Sequence, residues 1–170
     1  DRKDLLNRKS DYINWSRKLE RFAVNDIELE YHQSHLKLSL YRPFTKKWVY
    51  HDKALNEEAR LYYNKFGQHN LVINTTGRGA TRDFSPLVVD CIPSNDFMEK
   101  GQGFMRYDNE VDETSLFQNN DNMNQEFADK LGLNLDDTFA YVYGLLNSKE
   151  YQEKYANDLK KDLARIPIVK

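Results

Sequence analysis

A single cysteine, Cys91, stands among the 170 residues, so the chain cannot close an internal disulfide, and a reducing compartment is expected. No apolar run approaches the length of a membrane-spanning helix, and nothing reads as a signal peptide, so no membrane partner is expected. Internal repeats and low-complexity segments are missing as well. A chain of this length buries roughly 70% of its unfolded surface, so it needs neither a disulfide nor a metal as a staple. The start at Asp1 and the end at Ile166-Pro167-Ile168-Val169-Lys170, without a tail, lead us to expect a fragment of a longer chain.

The catalytic motifs are missing too. No glycine loop ends in Gly-Lys-Ser/Thr, and "GRGATR" (77–82) lacks the lysine that such a phosphate loop needs. There is no Asn/Asp-Pro-Pro-Tyr tetrad for amino methylation, no Gly-x-Ser-x-Gly elbow and no Glu-x-Lys pair of a metal-dependent nuclease. Cys91 and four scattered histidines offer no zinc spacing, and "HQSH" (32–35) reads as a solvated pair rather than as ligands. Two acidic clusters, Asp136-Asp137 and "DNEVDE" (108–113), are the remaining metal candidates. The simpler reading makes the first a helix start and the second a polar loop. No catalytic residue, no metal and no cofactor is therefore expected in this stretch.

What is present is unevenly charged. The net charge is −2, yet residues 1–82 carry a net +6 and residues 83–170 a net −8. A basic half lets one face meet a polyanion while the other half meets solvent or a sister domain, unless folding mixes the charges. Within the basic half, "LYRPFTKKWVY" (40–50) packs four aromatic residues and three cations around one proline.

Periodicity predicts a helix over residues 1–23, where Ile13, Trp15, Leu19 and Phe22 share a face. Leu36, Leu38 and Leu40 alternate with polar neighbours as in a half-buried strand, and "KWVYHD" (47–52) is a second short strand. "NEEARLYYNKF" (56–66) reads as a helix capped by Asn56. "NLVIN" (70–74) and "SPLVV" (85–89) are apolar strands flanking the loop "TTGRGATRDF" (75–84), and "GQGFMRYD" (101–108) is a further strand. "NQEFADKLG" (124–132) is a short helix closed by Gly132. "TFAYVYGLLN" (138–147) and "SKEYQEKYANDLKKDL" (148–163) form a final helical pair, the second with Tyr151, Tyr155, Leu159 and Leu163 on one face. This order predicts an α+β fold: a short-stranded mixed or antiparallel sheet, an N-terminal helix and a C-terminal helical pair. We expect one domain, 1–170, with a helical lead-in over 1–35, a strand-rich part over 36–110 and a helical part over 122–165.

Four segments in this order resemble the C-terminal specificity domain of Type ISP restriction-modification enzymes, often labelled DEAD/DEAH-box helicase family proteins. They are "SLYRPFTKKWVYHD" (39–52), "NLVINTTGRGATRDFSPLVVDCIPSNDF" (70–97), "KGQGFMRYD" (100–108) and, most specific of all, "DDTFAYVYGLLNSKEYQEKYANDLKKDLARIP" (136–167). Together they span about 37–168, with a weaker match in "INWSRKLERF" (13–22). The chain departs from the family at Thr45, where Asp is common, at Met105, where Pro is common, and at Ala164, where Pro precedes Arg-Ile-Pro.

The resemblance implies a bacterial, cytoplasmic phage-defence protein that carries a nuclease, an ATP-driven motor and an S-adenosylmethionine-dependent adenine methyltransferase on one chain. S-adenosylmethionine, ATP and magnesium then belong to those other domains. The domain here is implied to choose the double-stranded DNA target while docking on the methyltransferase and motor domains. A structural coupling domain with little DNA contact is the alternative.

With a DNA partner in view, Lys46 and Lys47 at a hairpin turn suit phosphates, and so does Arg42 unless an acid such as Asp52 holds it. In the same hairpin Tyr41, Pro43 or Phe44, Trp48 and Tyr50 are expected to pack inward. The glycine-flanked Arg78 suits a guanine edge, with Arg82 on phosphate or base, unless that loop is mobile. Gln102, between two glycines, has the chemistry to read adenine. The helical tyrosines are expected to pack rather than stack on bases.

Overall fold

The structure is a computed structural model that describes residues 6, 13–52, 54–56, 66, 70–94, 97–108 and 121–169. The helix expected at 56–66 and most of the acidic run at 108–113 lie outside the described residues, as does most of the sequence before Ile13. The fold is α+β, with small mixed and antiparallel sheets and helices at both ends of the chain. It divides into two compact units, residues 1–37 with 48–63, and residues 38–47 with 64–170.

In the first unit α1 spans Arg17–Val24. It begins there because the Ser16 hydroxyl accepts from the Leu19 N–H at 3.3 Å, so Ile13 and Trp15 precede the helix instead of belonging to it. A 3₁₀ turn, Gln33–His35, follows. The Tyr31 and Tyr50 rings stack at 5.4 Å, and the Tyr50 hydroxyl accepts from the His32 N–H at 2.8 Å. His35 Nδ1 lies 2.8 Å from an Asp52 oxygen. The Ala54 N–H first, and His35 after it, hold the Asp52 carboxyl below its ordinary range.

β1 (Leu36–Arg42) and β2 (Thr45–Tyr50) form a hairpin closed by Pro43-Phe44. β1 also pairs in parallel with the short β5 (Ile92–Pro93), placing Ser39 opposite Ile92 and Leu40 opposite Pro93. The second sheet has the order β4 (Pro86–Val89), β3 (Val72–Thr75), β6 (Gln102–Met105), antiparallel throughout. β3 is covered on both edges and both faces, and all four of its residues are buried. That is why "NLVIN" reads as an unbroken run rather than as an alternation.

α2 (Gln125–Leu131) is capped by Asn124 and stopped by Gly132, whose φ of 69° is left-handed. α3 (Leu135–Asn147) is capped by Asn134, whose side chain accepts from the Asp137 N–H at 2.8 Å, and packs on β4. Asp136, in the first turn of α3, accepts from Arg106 Nε at 3.1 Å and Nη2 at 2.9 Å, while Arg106 Nη1 bonds Asp121. The helix-start reading of Asp136 therefore stands, with a buried arginine as its partner.

The final helix expected over 148–163 is instead two short ones, α4 (Lys149–Lys154) and α5 (Ala156–Leu159). Tyr155, at φ −109° and ψ 16°, breaks the ladder between them. The four-residue spacing thus stops short: Tyr151 and Leu159 are buried, but Leu163 is 45% exposed. The core joins Ile73 of β3 to Phe139 and Leu146 of α3, Tyr151 of α4 and Leu159 of α5. The tyrosines also clasp the extended end of the chain. The Tyr151 hydroxyl donates to the Arg165 carbonyl and the Tyr141 hydroxyl to the Pro167 carbonyl, each at 2.7 Å.

Candidate nucleic-acid interface

Two separate elements carry the expected DNA-facing residues. The first is the loop between β3 and β4. Gly77 passes so close to Lys100 that a β-carbon on it would lie 1.6 Å from the Lys100 carbonyl oxygen, and Gly79 turns at φ +70°. Those two glycines let the loop fold back on the turn before β6.

Hydrogen bonds then fasten it. The Gly77 N–H donates to the Glu99 carbonyl at 3.0 Å, the Gly79 N–H to the Lys160 carbonyl at 2.8 Å, and Lys100 Nζ to the Gly79 carbonyl at 2.6 Å. The Glu99 carboxylate accepts from the Thr81 N–H at 3.0 Å, the Thr81 hydroxyl at 3.1 Å and the Arg82 N–H at 3.1 Å. These bonds tie the loop to Glu99, Lys100 and Lys160.

On this frame Arg78 and Arg82 are both exposed. Among the described residues, nothing pairs with the Arg78 guanidinium. Gln102 opens β6 directly opposite Thr75, and its amide likewise has no hydrogen-bond partner among the described residues. Because Thr75 also faces Pro86, Arg78, Arg82 and Gln102 sit at one end of the second sheet.

The second element is the hairpin tip. Here Tyr41 and Phe44 do not pack inward as expected but are 43% and 90% exposed. Trp48, further along β2, is 71% exposed, and only Tyr50 of the four is half-buried. The alternation fails because, among the described residues, full burial of the strand pair is confined to Ser39 and Leu40, where β5 runs alongside, and the tip lies beyond it.

Arg42 and Lys47 both lie over the Tyr41 ring, at 5.2 Å and 4.1 Å from its centroid. Neither has a carboxylate partner among the described residues, and Asp52 is engaged by His35. Lys46 differs, because its Nζ pairs with Asp90 at 2.7 Å. The hydrogen bond between them raises the lysine's pKa and lowers the aspartate's. The pair is solvent-exposed on both sides, so it is weak and open to competition from another anion. Asp90 lies beyond the end of β4 opposite Pro86, so the four residues of β4, about 10 Å of strand, separate Lys46's anchor from the Arg78 loop. The structure gathers Arg78, Arg82 and Gln102; it does not bring Lys46 to them.

Sequence reasoning missed Glu99, Lys100 and Lys160, which shape the loop, and Tyr41, the shelf for two cations. The signal was faint: Glu99 and Lys100 immediately precede "GQG", but their partners lie 17 to 21 positions away.

One prediction follows from the clamp. Backbone donation from Thr81 and Arg82 holds the Glu99 carboxyl below its ordinary value of 4.5. A lowered carboxyl pKa stabilises the clamped loop fully above the ordinary value and loses that contribution as pH falls through the lowered one. Amide exchange at Thr81 and Arg82 is therefore expected to be slow at pH 7 and to accelerate, beyond the ordinary pH trend, once the pH has fallen below the ordinary carboxyl value of 4.5 and through the lowered one. Glu99→Gln should show the fast behaviour at both. Equal protection in Glu99→Gln and the natural chain at pH 7 would remove the clamp.

Residues 1–170 match the Type ISP C-terminal specificity domain, and the chain belongs to that family. Solved structures agree. The chain is 29% identical to the protein in a cryoEM structure of a DrdV–DNA complex, with a TM-score of 0.83 over 98% of this chain and 17% of that one. It is 35% identical, at a TM-score of 0.74, to a nuclease-deletion mutant of the Type ISP restriction-modification enzyme LlaGI in complex with a DNA substrate mimic, over 92% of this chain and 15% of that one. It is 29% identical, at 0.80, to the ATP-dependent Type ISP restriction-modification enzyme LlaBIII bound to DNA, over 93% of this chain and 11% of that one. This chain therefore spans between a tenth and a fifth of the length of these relatives. A search of curated proteins finds no match. Among the described residues, no helix is long and apolar enough to cross a membrane.

Proposed function

We propose that this chain selects the double-stranded DNA target of a single-chain Type ISP enzyme and performs no chemistry itself. In this reading methylation, ATP hydrolysis and cleavage, with S-adenosylmethionine, ATP and magnesium, belong to a methyltransferase, a motor and a nuclease elsewhere on the same bacterial, cytoplasmic protein. The observation that carries the reading is the Arg78 guanidinium. It is exposed and unpaired among the described residues, on a glycine loop that Glu99, Lys100 and Lys160 hold in one shape. A planar fork presented without a carboxylate partner suits the O6/N7 edge of guanine. Membership of a specificity-domain family and the DNA complexes among the similar structures support it.

Within this reading Arg78 reads a base, Arg82 and Gln102 stand beside it for phosphate or base, and Arg42, Lys46 and Lys47 hold phosphates from the hairpin. Lys46 exchanges Asp90 for a phosphate on binding. In the full-length enzyme, Arg78→Ala is expected to cost about 1–3 kcal/mol on the cognate site and to relax preference at one base pair. Replacing both Lys46 and Lys47 by Ala should weaken binding to all sequences alike and flatten its salt dependence. Methylation of the cognate duplex against a panel of single-base variants, at two salt concentrations, separates the two roles. A profile changed by the lysines and not by Arg78 reverses them. A profile that neither substitution moves leaves a coupling domain with little DNA contact as the better reading.

A further inference from the structure

The hairpin tip contains a residue that neither the fold nor the Arg78 loop explains. Phe44 is 90% exposed and has a φ of +65°. Left-handed backbone is rare for a bulky side chain, and the second position of a proline-led two-residue turn is where glycine or asparagine is strongly favoured. Turn geometry therefore selects against phenylalanine here, and burial does not select for it. Such a combination of strain and exposure is the pattern of a residue kept for contact with something else.

The surroundings define that partner. Arg42 and Lys47 lie on the same hairpin, both over Tyr41, and neither has an acidic partner among the described residues. An apolar ring at the apex with two unpaired cations behind it complements a surface that is anionic outside and flat, aromatic and apolar within. Duplex nucleic acid has that construction, with phosphates flanking stacked bases. Aromatic and apolar wedges that enter a base step and partly unstack it are a known way to bend or open a duplex.

We infer that Phe44 is a wedge that inserts at a base step of the bound DNA, with Arg42 and Lys47 gripping the phosphates on either side. The inference rests on the target-recognition reading and adds a contact remote from the Arg78 loop. It also accounts for the strained turn: the left-handed φ at the apex carries the ring outward, clear of both strands.

The test uses the full-length enzyme and cognate duplexes carrying 2-aminopurine at successive positions, the methylated adenine excepted because its extrusion would give its own signal. The natural enzyme is expected to raise fluorescence at one step outside that adenine. Phe44→Ala and Phe44→Gly should abolish the rise and weaken binding about tenfold to a hundredfold. Phe44→Trp should keep both. Phe44→Gly should fold at least as stably as the natural chain, since glycine suits a positive φ, so loss of function there cannot be ascribed to unfolding.

Unchanged fluorescence and affinity in Phe44→Gly, with Arg78→Ala still relaxing base preference, overturns the wedge and leaves target recognition standing. If neither substitution has an effect, both readings fall. A Phe44→Gly enzyme with an intact 2-aminopurine signal but a lower melting temperature would place the ring against another protein domain and overturn the inference as well.

Discussion

Tyr151→Ala is expected to destabilise the chain by about 3–5 kcal/mol, the range for truncating a buried aromatic, and so to lower its melting temperature by roughly 10 °C or more. The size follows from what the ring touches. Tyr151 is 6% exposed and shares a core with Ile73, Phe139, Leu146 and Leu159. Its ring lies 5.0 Å from that of Tyr155, and its hydroxyl holds the Arg165 carbonyl. Burial raises the phenol's pKa, in keeping with a group sheltered from water. Tyr151→Phe keeps the packing and loses only the hydrogen bond, so about 1 kcal/mol is expected. Tyr155→Ala should fall between them, because Tyr155 is only half-buried. Thermal melting of the three variants tests the order. A Tyr151→Ala protein that melts like the natural one but loses DNA binding would move this tyrosine from the core to the interface.

The second large effect is expected at Gly77. A methyl group there would sit 1.6 Å from the Lys100 carbonyl oxygen, which is backbone and cannot swing aside. Either the loop or the turn at 97–101 must shift, and with it the bond from the Gly77 N–H to the Glu99 carbonyl. Overpacking of this kind costs about 1–3 kcal/mol or more. The functional cost should be larger, because Arg78, Arg82 and the Glu99 clamp all depend on where this loop lies. Gly77→Ala is expected to blur base preference at least as much as Arg78→Ala in the methylation panel. Gly79→Ala provides the contrast. Its β-carbon would meet only Lys100 Nζ, a movable side-chain end, at 3.3 Å, though the φ of +70° still strains it. A Gly77→Ala enzyme with natural preference would show that the shape of the loop is not what selects the base.

Much of this could be read in advance where a signal is local. Apolar runs marked β3 and β4, Asn124 and Gly132 bounded α2, and Asp136-Asp137 announced the start of α3. Each depends on backbone and side-chain chemistry within a few residues. The same local logic failed at Tyr155, where the periodic pattern runs on but the helix does not. It failed again at Tyr41 and Phe44, whose alternation implied a covered face. In both places the outcome depends on what the rest of the chain places alongside, and spacing within a segment carries no information about that.

The sequence by itself determined the family, the α+β class and the residue types available for DNA, because family motifs, periodicities and the cation count are properties of order along the chain. Only the tertiary structure decided which of those residues lie together. Arg78, Arg82 and Gln102 share one end of the second sheet because antiparallel pairing aligns Thr75 with both Pro86 and Gln102. Lys46 is held apart from them by Asp90. The loop has one shape because Glu99, Lys100 and Lys160 reach it from distant positions. The physical reason is range: propensity and capping act over about four residues, whereas a hydrogen bond between residues tens of positions apart exists only once the fold has closed the distance.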